Sequence, residues 1–141
     1  MIYSKTAKYA VLALAEVSAR SHGDYVSTQE IADVAAIPYP HFAKTIAQLK
    51  RAGLLVTSRG KAGGILLAKP AEEITILDVV LAIDGPGTLN DCPLFLKSCD
   101  CTRLCSLHGL WREAHDAVVS FLTSTTIADV AAARAGALGV S

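Results

Sequence analysis

The chain has 141 residues, 52% of them hydrophobic and 18% charged, with 13 Lys or Arg balanced by 13 Asp or Glu. That length suits one domain, or a small domain with an appended helix, and folding at this size buries roughly two-thirds of the unfolded surface, so no disulfide or metal staple is required for stability. Lys5, Lys8, Glu16 and Arg20 interrupt the apolar pattern of the first twenty residues, which argues against a signal peptide or a membrane span there and for a cytoplasmic protein.

In chain order, Ala7, Ala10, Val11, Leu14 and Val17 recur at spacings of three and four, the stripe of an amphipathic helix over residues 6–20. His22-Gly23-Asp24 ends it. Ser27 stands three residues before Glu30, the spacing of a capping box, and predicts a short helix with Ile31 and Val34 facing inward that stops near Ala36. Pro40 pre-sets the first turn of a third helix, whose inward stripe is Phe42, Ile46 and Leu49, up to Gly53. A short helix, a tight turn and a longer helix make a helix-turn-helix.

The other face of the third helix is expected to carry His41, Lys44, Thr45 and Gln48, with Tyr39 at its start, side chains suited to phosphates and base edges. Any solvated helix carries some Lys and Gln, so this face alone decides little. Next come two short β-rich runs, Leu54 to Ser58 and Ile65 to Ala68, separated by Arg59-Gly60-Lys61-Ala62-Gly63-Gly64. A hairpin directly after such a helix is a wing. Its glycines permit positive φ and close approach to a phosphate, Arg59 can reach a narrow minor groove, and Lys61 can neutralise phosphate.

Thr75 and Asp78 form a second capping box for a helix with Ile76, Val79, Val80 and Ile83 inward, ending at Gly85-Pro86-Gly87. Residues 88–102 show no apolar period. From Leu104 the pattern resumes with Leu107, Trp111, Ala114, Val118 and Phe121, beside a second row of Leu110, Ala117 and Leu122. A helix apolar on two sides is expected to pack on its own domain and on a second copy of the chain. The tail from Thr126 is expected to form a short helix that frays after Gly136.

The zero net charge conceals an asymmetry. Residues 1–69 hold nine Lys or Arg against four acids, a surplus of five, and residues 70–141 hold four against nine, a deficit of five. The front half has the sign needed to meet a polyanion.

All four cysteines fall in one stretch, spaced Cys92-x6-Cys99-x-Cys101-x3-Cys105-x2-His108. In a reducing compartment, cysteines this crowded read as metal ligands or redox-active thiols rather than a disulfide framework. Three thiolates with an imidazole can hold a 2Fe-2S cluster, four thiolates can hold 2Fe-2S or 4Fe-4S, and three thiolates with an imidazole also suit zinc. The absence of a CxxC pair moves zinc behind iron-sulfur. Cys101 lies two residues from Cys99, close enough to strain joint ligation of one iron, and stands as an alternative ligand or a spare thiol.

These stretches together resemble the bacterial winged-helix regulators of the IscR, NsrR and CymR family, over nearly the whole chain. The resemblance rests on Ser4-Lys5 through Tyr9-Ala10, Ile31-Ala32, Leu49-Lys50-Arg51-Ala52-Gly53-Leu54, Arg59-Gly60-x2-Gly63-Gly64-x2-Leu67-Ala68, Ile83-Asp84-Gly85 and the loop cysteines. It implies that Cys92, Cys99 and Cys105 are cluster ligands and that His108 is the fourth, as in the IscR type, with 2Fe-2S the favoured nuclearity and 4Fe-4S the other. The nitric-oxide sensors of the family supply an acidic residue from the first helix, where this chain has Lys8. The chain departs from the pattern in a first cysteine gap one residue longer, in the extra Cys101, and in Pro38-Tyr39-Pro40-His41-Phe42 where relatives carry small polar residues, so no target sequence transfers.

The expected architecture is mainly α with a small β-hairpin. A winged helix-turn-helix domain with its supporting helix spans 1–84, a cysteine-rich cluster-binding loop 85–103, and a long dimerisation helix with a C-terminal tail 104–141. The expected function is a homodimeric regulator of double-stranded DNA whose affinity follows an iron-sulfur cluster, not an enzyme and not a membrane protein. A cluster-free thiol-redox or partner-controlled repressor could share the fold. A small electron-transfer protein would have no use for the basic helix and wing, and an enzyme with a cysteine nucleophile and His41 or His115 as base lacks any oxyanion-hole signature.

Overall fold

The computed structural model describes residues 3–60, 64–90 and 108–139. Helix α1 (Lys5–Arg20) is the centre of the fold. Its expected stripe is buried, and Ala13 and Ala15 are buried as well, so small side chains let neighbouring helices approach on more than one side. Ser4 caps it, its hydroxyl accepting the Ala7 N–H at 3.0 Å.

Helix α2 (Thr28–Ala35) starts at Ser27, whose hydroxyl accepts the Glu30 N–H at 3.4 Å. Only half of the expected capping box forms, because the Glu30 carboxylate accepts instead from Arg20 at 2.5 Å. Val34, expected inward, is 44% exposed; Ile31 and Ala32 carry the buried face. An eight-residue helix turns its inner side to the core for little more than one pair of residues. The turn to the next helix passes through Ala36 in the left-handed region, φ 56° and ψ 43°, where its N–H bonds back to Ala32 and Asp33.

Helix α3 (Tyr39–Arg51) begins after Pro38, with Pro40 inside the first turn, where its missing N–H has no partner to lose. Phe42, Ile46 and Leu49 are buried as expected. Burying a side chain such as Phe42 contributes about 1.5–3 kcal/mol and ties α3 to the core.

The hairpin pairs β1 (Leu55–Ser58) with β2 (Gly64–Leu67) antiparallel, Leu55 opposite Leu67 and Ser58 opposite Gly64. Val26, just ahead of α2, adds a bridge to Ile65 with N–H to O distances of 2.9 and 2.8 Å. That bridge brings the Val26 carbonyl so close that a Cβ on Gly64 would stand 2.0 Å from its oxygen. Gly64 is therefore required by the protein's own backbone.

Helix α4 (Ile76–Asp84) has a complete capping box: Thr75 N–H to Asp78 at 3.0 Å and Asp78 N–H to Thr75 at 3.1 Å. Thr126 and Asp129 repeat it at the start of α6 (Ile127–Gly139), at 2.9 and 3.1 Å. The two starts are stitched together, Ile76 N–H to Thr125 O at 3.0 Å and Ile127 N–H to Ile74 O at 2.8 Å. The tail expected to fray after Gly136 is thus a full helix packed on α1, with Ile127 wholly buried and Arg134 donating to Glu16 at 2.6 Å. Between them, α5 (His108–Ser124) runs from the far side of the cysteine stretch back to this junction. No described helix is long and apolar enough to cross a membrane.

Candidate nucleic-acid interface

Two elements present exposed surface suited to a nucleic acid, the outward face of α3 and the start of the wing turn. At about 100° per residue, Pro40, Lys44, Ala47 and Arg51 lie roughly opposite Phe42 on α3, and all four are exposed. Tyr39 is 46% exposed at the helix start and Gln48 lies half-buried at the flank. The two alanines, Ala43 and Ala47, leave little side chain between the helix backbone and whatever approaches it, while Lys44 and Arg51 supply charge.

Two of the expected outward residues belong elsewhere. Thr45 is 1% exposed, and its hydroxyl donates to the His41 carbonyl at 3.0 Å. His41 is half-buried against α1: its Nε2 lies 3.1 Å from the Thr6 hydroxyl, and its ring meets the edge of Tyr9 at 5.9 Å between centroids. The helical angle already carried this signal. Thr45 sits about 60° from Phe42 and on the Leu49 side of it, within the inward arc. Arg51, by contrast, lies on the Lys44 line, although in the sequence it stands out only as part of a helix-closing motif.

On the wing, Arg59 is exposed and Gly60 takes a φ of 101°, a turn conformation that favours glycine. Lys61 lies outside the described residues. Lys5 adds a further cation near α3, its ammonium 5.6 Å from the centre of the Tyr9 ring that in turn abuts His41.

Two of the four acids of the front half, Glu16 and Glu30, are held in ion pairs. Glu16 accepts from Arg134 at 2.6 Å and from Arg20 at 3.2 Å, and Glu30 from Arg20. Burial alone would raise the Glu16 carboxyl; the hydrogen bonds and charges of Arg134 and then Arg20 outweigh it and hold the carboxyl below its ordinary value. Lys44, Arg51 and Arg59 form no ion pair with the acids that Arg20 and Arg134 occupy.

The sequence profile of the Rrf2 family, whose description is iron-dependent transcriptional regulator, matches residues 3–133. This chain belongs to the Rrf2 family. Among its relatives, an Aquifex aeolicus protein assigned to the HTH-type transcriptional regulators is 33% identical over 132 residues, covering 92% of this chain and 91% of that one. The HTH-type transcriptional regulator IscR of Photorhabdus laumondii is 29% identical over 123 residues, covering 87% of this chain and 74% of its own. The structure of CymR, the global cysteine regulator of B. subtilis, superposes with a TM-score of 0.79 at 24% identity, over 92% of this chain and 95% of that one. At that identity the superposition speaks to the fold alone. Membership of this family supports regulation of transcription through DNA binding.

The expected cluster ligands Cys92, Cys99 and Cys105, and the alternative Cys101, lie outside the described residues, as does the side chain of His108. Among the described residues, no group of three or more His, Cys, Asp or Glu is placed to hold a metal ion. Three thiols, a fourth close by and an imidazole at the start of α5 are nonetheless the donor chemistry that an iron-sulfur cluster takes. What the structure does fix is the base of that stretch. On one side, Asp84 accepts from the Ser4 N–H at 2.9 Å and from the Ser4 hydroxyl. On the other, His115 of α5 donates from Nε2 to the Leu89 carbonyl at 2.7 Å, with its ring tilted on Trp111. Neither clasp has a signal in the sequence, since each joins residues far apart in the chain by one polar pair.

Proposed function

We propose that the protein is a homodimeric, cytoplasmic DNA-binding regulator whose operator affinity is set by an iron-sulfur cluster on Cys92, Cys99, Cys105 and His108, with Cys101 the alternative ligand. The observation that carries the DNA-binding side is the cationic outward line of α3, together with an exposed Arg59 at the wing and with Glu16 and Glu30 held by Arg20 and Arg134. Tyr39, Lys44 and Gln48 contact the major groove, with Arg51 at its edge. Arg59 and Lys61 engage the minor groove and adjacent phosphates. His41 and Thr45 serve the interface by holding α3 rather than by touching DNA.

The self-pairing side is supported by α5. Trp111, His115, Val118 and Leu122 turn toward the protein, whereas Leu110 is 67% exposed and Phe121 51% exposed, with exposed Ala114 and Ala117 between them. Spacings of four, three and four make one apolar line with no cover among the described residues. Pairing two copies along it places two recognition helices about a two-fold axis, which calls for a partly palindromic site with half-sites about 34 Å apart.

A bound cluster supplies redox chemistry and sensitivity to iron, oxygen and nitric oxide. The test has two arms. Anaerobic reconstitution with iron and sulfide gives visible absorption that Cys92→Ala, Cys99→Ala or Cys105→Ala abolishes; a colourless protein with stoichiometric zinc overturns the cluster reading and leaves a thiol-switch or partner-controlled repressor. Lys44→Ala and Arg59→Ala each weaken DNA binding and reduce the log–log salt slope by about 0.9 for each phosphate that is no longer neutralised. Unchanged affinity in both overturns the interface.

A further inference from the structure

The cysteine stretch leaves the described structure between Asn90 and His108, and its N-terminal approach begins one residue after Asp84. Asp84 is the last residue of α4, a poor place for a carboxylate, because the C-terminal end of a helix carries partial negative charge. It is well placed for a different helix. Its two oxygens accept from the backbone N–H and the hydroxyl of Ser4, the N-cap of α1, whose own first turn contains no acid. α1 thus receives from α4 the negative charge that its N-terminal end favours. Immediately after the clasp, Gly85 turns the chain at φ 78°, toward the cysteine stretch.

From Ser4 the contacts continue to the recognition helix in a single turn of α1. The Ser4 hydroxyl, while donating to Asp84, accepts the Ala7 N–H, and Thr6 in that same turn holds His41 at 3.1 Å. His41 lies in the first turn of α3, three residues before Lys44. Ser4, Thr6, His41, Lys44 and Asp84 line one cleft of about 240 Å³ where the ends of α1, α3 and α4 meet.

Resting on the reading of the protein as an iron-sensing DNA-binding regulator, we propose that Asp84 is the positioning residue that links the state of the cysteine stretch to the seat of the recognition helix, through Ser4, Thr6 and His41. In this arrangement the carboxylate need not touch DNA or cluster. When the chain beyond Gly85 is drawn or released, Asp84 moves with the end of α4, and the N-cap of α1 and the His41 bracket follow. The second clasp, His115 on the Leu89 carbonyl, ties the same approach to α5 and so to the pairing face, but it bypasses α3.

The experiment compares iron-loaded protein with chelator-treated protein, using a duplex selected from random sequence by the iron-loaded form. Wild type, Asp84→Ala and the milder Asp84→Asn are each measured for DNA affinity, visible absorption and amide exchange over residues 4–9 and 39–44. The expected result is a wild-type affinity ratio between the two forms of at least about 5-fold, falling below about 2-fold in Asp84→Ala with the loaded spectrum retained, and intermediate in Asp84→Asn. Exchange over 39–44 should change on iron removal in wild type and become indifferent to iron in Asp84→Ala. A residue that merely stabilised the fold would lower both affinities together and leave the ratio alone. A wild-type ratio preserved in both variants overturns the role of Asp84 while leaving iron sensing intact. A wild-type affinity indifferent to iron overturns the sensing reading, and this inference with it.

Discussion

Replacing Leu110 and Phe121 of α5 together by alanine should dissociate the dimer without harming the protomer. Leu110 is 67% exposed and Phe121 51% exposed in the single chain, so neither contributes much to its core. Full burial of such a side chain is worth about 1.5–3 kcal/mol. Covering the exposed two-thirds of Leu110 and half of Phe121 therefore contributes roughly 2–3.5 kcal/mol per protomer, or about 4–7 kcal/mol when two copies pair. Alanine retains part of that area, and at about 1.4 kcal/mol per decade a loss of about 3–5 kcal/mol weakens dimerisation by roughly 10²- to 10³·⁵-fold. Sedimentation equilibrium over a wide concentration range reads the constant, and thermal melting with circular dichroism checks the protomer. A doubly substituted protein that pairs as tightly as wild type, or a wild type that stays monomeric at the highest concentration, refutes the assignment of this face.

Three further outcomes concern the site and the core. Gly64→Ala should detach the wing from the Val26 bridge, since the added Cβ meets a carbonyl oxygen at 2.0 Å; a loss of about 2–4 kcal/mol in urea denaturation is expected, and a neutral substitution would show that the backbone yields there. Thr45→Val keeps the shape of a buried side chain and removes a hydroxyl bonded to its own helix, so stability should fall by about 1 kcal/mol or less with DNA affinity within about 2-fold of wild type; a larger drop in affinity at unchanged stability would return Thr45 to the interface. Arg134→Ala removes the main partner of Glu16, and stability at neutral pH should fall by about 1 kcal/mol. The folded carboxyl lies below its ordinary value of 4.5, so this stabilisation is present above that pH and lost as pH falls through the depressed value. The gap between wild type and variant should close on acidification, and a gap independent of pH would assign it to packing.

Much of the architecture was legible in the chain itself. The helical stripe of α1, the Phe42-Ile46-Leu49 stripe of α3 and the Thr75–Asp78 cap are local patterns that burial and backbone geometry then obeyed. Errors fell where one residue had two available partners. Glu30 was expected to return to Ser27 and went to Arg20, and His41 was expected to face outward and turned to Thr6 and Tyr9. On α5 the two apolar rows were both visible, but Leu122 proved to be core and Phe121 surface.

By itself the sequence determined the order of elements, the basic character of the front half and the gathering of every cysteine into one stretch, because periodicity, capping and charge are properties of neighbours in the chain. Only the tertiary structure decided which side of each helix is covered, that the last helix returns to α1, that Gly64 serves Val26, and that Asp84 caps a helix eighty residues away. Those are choices among partners of similar chemistry. They are settled by which surfaces the whole chain can bury at once, and no local pattern carries that information.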